Sequence, residues 1–72
     1  MELNKKMKLL EEIMELDEGE LSLDMKLEDM EEWDSLTKLA LMAEIRKLMG
    51  KTISVEELKA FNTIQDICDY LE

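Results

Sequence analysis

The 72-residue sequence predicts an all-α fold of four helices, with a long first loop and a very short third helix. Three observations carry this. Apolar residues recur at steps of three and four in separate segments. The chain has no proline, and its two glycines stand where helices would end. One stretch alternates apolar and polar side chains as a strand does, but no second such run exists to pair with it.

The first helix is expected over about 2–16, with Leu3, Met7, Leu10 and Met14 on its inner stripe, widened by Leu9, Ile13 and Leu16. Asp17-Glu18-Gly19-Glu20 would close it, with Gly19 free to take a left-handed turn. Beyond it Leu21, Leu23, Met25 and Leu27 alternate with Ser22, Asp24 and Lys26. Lacking a partner strand, the segment reads as an extended loop anchored by its apolar side chains, and connections this long usually have a function. A helical turn is expected near 27–32, with Met30 and Trp33 packed inward.

Asp34 is a good N-cap for a second helix reaching about Met49, with Gly50 as its stop. The apolar positions of that helix are Leu36, Leu39, Leu41, Met42, Ile45 and Met49. Ser54, with Glu57 three residues on, has the form of a capping box for a third helix ending near Ala60. Ile53 before it is expected to be buried. Thr63 and Asp66 open a last helix in the same way, bearing Ile64, Ile67, Cys68 and Leu71.

A chain of 72 residues is read as a single domain over 1–72, burying only roughly 60% of its unfolded surface. It is too small to enclose a pocket of the usual ~300–1,000 Å³ and keep a core, which favours a protein acted upon by others over an enzyme. Histidine, the commonest general base, is absent, and Cys68 alone offers neither an internal disulfide nor a thiolate cluster. It reads as a small buried hydrophobe. No apolar run approaches a membrane span and no signal-peptide core opens the chain, so a cytoplasmic monomer is expected.

The net charge of −10 argues against nucleic acid as a partner, since the acids far outnumber the cations that could neutralise its phosphates. The charge is uneven: residues 11–34 carry twelve acids against Lys26 alone, net −11, while residues 1–10 and 35–50 are each net +2. Either this acidic run is a solvated, solubilising surface, or a partner protein presents a basic face to it and salt weakens the encounter. Asp17 to Glu28 spans the length of a calcium loop, but Gly19 and Leu21 sit where carboxylates belong and Ser22 where the turn glycine belongs. That reading is rejected.

Asp34-Ser35-Leu36 follows directly on the acidic loop. It places a serine hydroxyl at the positive end of a helix dipole, where an attached phosphate is favoured. Helix capping alone explains Asp34 equally well. The wider string Glu32-Trp33-Asp34-Ser35-Leu36, with Thr63-Ile64-Gln65-Asp66-Ile67 and Asp69-Tyr70-Leu71 near the end, resembles the acyl and peptidyl carrier family of phosphopantetheine-binding proteins, in its stand-alone form. The resemblance covers nearly the whole chain.

That resemblance implies a four-helix carrier-protein bundle with 4′-phosphopantetheine attached to Ser35, between Asp34 and Leu36, by a phosphopantetheinyl transferase using coenzyme A. The arm would hold acyl groups as thioesters. Catalysis would belong to an acyl- or aminoacyl-loading synthetase and to downstream synthase or transferase enzymes. Members can admit the acyl chain between their helices; the lining here would be Leu39, Met42, Ala43, Ile45, Ile53 and Ile64, residues that plain core packing also explains. Thr37, Lys38, Ala40, Arg46 and Lys47 occupy a face often acidic in fatty-acid carriers, which points to a specialised pathway such as polyketide, peptide or modified-sugar assembly. The alternatives are an aminoacyl or peptidyl carrier, and an acidic helical interaction module without a prosthetic group. Trp33 reads as a loop anchor rather than a ligand platform.

Overall fold

Local capping and the apolar stripes divide the chain into α1 (Leu3–Ile13), a single 3-10 turn (Leu27–Asp29), α2 (Ser35–Met49), α3 (Val55–Ala60) and α4 (Ile64–Tyr70). The structure is a computed structural model that describes residues 1–71. Among these the fold is all-helical with four α-helices, and no helix is long and apolar enough to cross a membrane. α1 packs against both α2 and α4. Leu10, Leu41, Ile45, Ile53, Ile64, Ile67, Cys68 and Leu71 are all less than 2% exposed and bring every helix except α3 to one core. α3 adds Leu58, at 3%. Burying one such side chain is worth about 1.5–3 kcal/mol.

α1 stops earlier than the expected 16. The backbone reverses at Glu15, which takes the left-handed φ of 58°. Its N–H donates to Glu12 O at 3.2 Å, and the Leu16 N–H donates to Glu11 O at 2.8 Å. This paired closure satisfies the carbonyls left open at a helix end, and glycine is its usual pivot. Glu15 holds that position without a glycine's freedom, while Gly19, at φ 88°, serves a separate turn further on. Glu15→Gly is therefore expected to raise stability by up to about 1 kcal/mol, read as a higher urea midpoint. A lower midpoint would show that the glutamate side chain contributes more than its backbone strain costs.

One polar residue belongs to the core. Glu11 is 6% exposed, and its carboxylate accepts from the Gly19 N–H at 2.8 Å and the Leu21 N–H at 3.4 Å. It ties the start of the long loop to the middle of α1. Further along, Leu21 and Leu27 are buried and Leu23 is half-buried, as the alternation predicts, but Met25 is at the surface and does not anchor the loop.

The partner of that extended stretch lies near the other end of the chain. The Leu27 N–H donates to Asn62 O at 2.9 Å, the Ile64 N–H to Met25 O at 3.1 Å, and the Gln65 N–H to Leu23 O at 2.9 Å. Lys26 and Thr63 form an antiparallel bridge between these bonds. The first donors of α4, which have no partner within their own helix, are thus satisfied by the loop. Met30 and Trp33 are half-buried against the core.

The last two helices start as their sequences indicate. Ser54 Oγ accepts from the Glu57 N–H and Thr63 Oγ1 from the Asp66 N–H, each with the reciprocal bond of a capping box. At the far end of α4, Lys6 Nζ donates to Cys68 O at 2.9 Å, so a cation from α1 covers a terminal carbonyl. The Cys68 thiol is buried, 3.8 Å from Met7 Sδ. Burial pushes its pKa up, Lys6 opposes this, and Asp69 adds to it, which suits an inert packing role.

Candidate functional site

The turn into α2 is built by Asp34. Its backbone is extended (φ −103°, ψ −177°), and its carboxylate accepts from the Thr37 N–H at 2.9 Å. Its carbonyl accepts from the Lys38 N–H at 3.0 Å. The Asp34 carboxyl is held below its ordinary pKa, first by the Thr37 amide and then by the Thr37 hydroxyl. Desolvation opposes these slightly, and the amides of Asp34 and Leu36 add to them. A depressed pKa means that the ionised cap stabilises the fold fully above the unfolded carboxylate value of about 3.9. That contribution is lost as pH falls through the lower folded value. Asp34→Asn keeps an acceptor without this titration. Its melting midpoint is expected to fall less than the parent's between pH 7 and pH 3, and parallel curves would refute the capping role of the charge.

Ser35 is the first residue of α2, and it is exposed. The 15-residue helix behind it directs its unpaired amides and positive dipole end towards the hydroxyl, and the first turn carries no acid of its own. At the other end Arg46 and Lys47 complement the negative pole, and Gly50 closes the helix in the left-handed region at φ 66°. A serine so placed can take a phosphodiester. Its side chain is exposed, and an anion there would meet helix amides, while the neighbouring Asp34 carboxylate is engaged by the Thr37 N–H.

α2 is oriented differently from its apolar pattern. Thr37, Leu41 and Ile45, spaced at four, form the buried face. Leu36 and Leu39 are 78% and 61% exposed and Ala43 is also exposed, so these three share the opposite face. The expected interior lining is therefore corrected at Leu39 and Ala43, because the burial of Thr37 and Leu41 turns both of them to solvent. Met42 is half-buried at the edge of the core, while Ile45, Ile53 and Ile64 lie together within it. Of the residues read as an outer face, Thr37 is buried, Lys38 and Ala40 are half-buried, and Arg46 and Lys47 are exposed.

Two grooves flank the start of α2. One, of about 520 Å³, has Trp33 and Phe61 among its walls, with Lys26, Lys38, Lys59 and Glu28. Lys38 Nζ lies 5.7 Å from the centre of the Trp33 ring, within cation–π range. Phe61 is fixed edge-on against Tyr70, with ring centres 5.7 Å apart. The other groove, of about 390 Å³, is bordered by Glu15, Glu32 and Asp34 with Leu36 and Thr37. Sequence reasoning missed the lysine-lined groove, because Lys26, Lys38 and Lys59 come from three separate elements. It also missed Glu11, although Glu11 lies four residues after Met7 and three before Met14, on the apolar face of α1.

Compared with known proteins, residues 7–71 match the family model described as phosphopantetheine attachment site. That family is defined by covalently attached 4′-phosphopantetheine. Neither the curated proteins nor the solved structures compared give a match.

Proposed function

Since this chain belongs to the phosphopantetheine attachment-site family, and is thus a carrier protein for a phosphopantetheine arm, we propose that Ser35 bears the arm and that residues 1–72 act as one acyl carrier domain. The observation that carries the proposal is the exposed Ser35 hydroxyl at the start of α2, behind the Asp34 cap. Attachment forms a bond from Ser35 Oγ to phosphorus as the pyrophosphate linkage of coenzyme A breaks; adenosine 3′,5′-bisphosphate leaves, and the Ser35 proton passes to a base of the transferase. The α2 amides and dipole favour the phosphodiester anion, and Asp34 keeps the turn open by holding the Thr37 amide. When attached, the arm supplies a terminal thiol that holds acyl groups as thioesters.

The chain itself contributes tethering, which raises the effective concentration of cargo at a partner's site. Chemistry on the cargo belongs to loading and processing enzymes, and the carrier is non-catalytic. A transferase reaching Ser35 must cover Asp34 and the exposed Leu36 and Leu39, so that surface is the first contact of the proposed modifying enzyme. The mixed apolar and basic character of the α2 outer face, with Arg46 and Lys47, favours a specialised pathway over general fatty-acid synthesis.

The test is intact mass before and after incubation with coenzyme A, magnesium and a broad-specificity phosphopantetheinyl transferase. A gain of one arm, mapped to the proteolytic peptide containing Ser35, is expected. A folded protein at its bare-chain mass that gains nothing would overturn the assignment, as would a gain mapped to another residue.

A further inference from the structure

We propose that the lysine-lined groove beside Ser35 receives the loaded end of the arm and selects an acyl cargo that ends in a carboxylate. The inference rests on Ser35 being the attachment residue. Trp33 and Lys38 both line this groove and lie two residues before and three residues after Ser35, so the groove opens next to the attachment point.

Its charge is opposite to that of the molecule. The chain has nineteen acids against nine lysines and arginines. Yet three of the nine, Lys26, Lys38 and Lys59, border the groove, against the single carboxylate of Glu28. They project from the long loop, α2 and α3, so three separate elements bring cations to one groove. Lys38 is held over the Trp33 indole, which fixes part of its stem and lowers the entropy lost when its ammonium pairs. Trp33 and Phe61 supply an apolar wall for the carbon chain.

The groove on the other side of α2 has the reverse character, with Glu15, Glu32 and Asp34 on its border and no cation. It repels an anionic end, so a cargo carrying a terminal carboxylate has one favourable direction in which to fold back. A neutral acyl chain gains only the aromatic wall and is not sorted between the two sides. Each exposed ammonium–carboxylate pair favours the docked state by up to about fivefold, and the pairs are screened by salt.

The experiment loads the protein directly from succinyl-coenzyme A and from butyryl-coenzyme A with a broad-specificity transferase, giving the same four-carbon cargo with and without a terminal carboxylate. Loading is read by intact mass. Docking is read by the emission of Trp33, the chain's single tryptophan, and by the amide chemical shifts of Lys38, Asn62 and Thr63. The succinyl form is expected to differ from the arm-only form in both readouts and the butyryl form to match it. The succinyl effect should fade in ~1 M salt, where the Debye length is about 3 Å. In Lys26→Met/Lys38→Met/Lys59→Met the two cargoes should give the same spectra. Loaded proteins with identical spectra for both cargoes overturn the inference alone, as does a succinyl effect that persists in the triple variant. No mass gain from either thioester overturns the attachment at Ser35 and the inference with it.

Discussion

Ser35→Ala is expected to fold like the parent and to gain no mass from coenzyme A and a phosphopantetheinyl transferase. The two halves of this result have separate causes. The hydroxyl is exposed and makes no bond in the cap, which is held by the Asp34 carboxylate and the Thr37 amide. Removing it leaves every buried group satisfied, so the stability change should stay within about 0.5 kcal/mol. Attachment, in contrast, is all-or-none, because the lost oxygen is the one that would be esterified. The check is intact mass and a thermal melt on the same sample. An unchanged melt with persistent modification would move the arm elsewhere, and a collapsed melt would give Ser35 a structural part that its exposure denies.

Leu41→Ala is expected to cost about 2–5 kcal/mol, because the leucine is fully buried where α2 meets the core and its removal leaves a cavity. At the usual ~0.05–0.15 kcal/mol per residue, the whole domain holds only about 4–11 kcal/mol. The variant should therefore melt at least about 8 °C lower, or be partly unfolded at room temperature. Leu39→Ala, two residues away, should change stability by no more than about 0.5 kcal/mol, since that side chain is 61% exposed. Equal losses for the two substitutions would mean that α2 is rotated about its axis relative to the orientation described above.

Leu39 also marks where the sequence stopped being informative. The helix starts were legible because Asp34, Ser54 and Thr63 act on amides within the next three residues, a purely local matter. The 3-10 turn, the stop at Gly50 and the inward Trp33 were legible for similar reasons. The face of α2 was not. Leucines and methionines occur around most of its circumference, so periodicity alone fits more than one orientation. The choice fell to tertiary packing, which preferred Thr37 inward to Leu36 and Leu39. The end of α1 was hidden because Glu15 takes a conformation that sequence rules reserve for glycine. The lysines of the groove are 12 and 21 positions apart, and only the folded chain brings them to one opening.

The backbone bonds between the long loop and the start of α4 bear on the order in which this chain can acquire structure during synthesis. Residues 23, 25 and 27 are bonded to residues 65, 64 and 62, partners 35 to 42 positions further along. Helix α1 can form as soon as it leaves the ribosome, because its bonds are local. The loop cannot settle until α4 has emerged as well. Until α4 is available, the stretch before Ser35 lacks these partners, whereas the Asp34 cap of α2 needs only its own neighbours. A modifying enzyme that reads the folded surroundings of Ser35, as proposed, would meet them only after α4 has joined the loop.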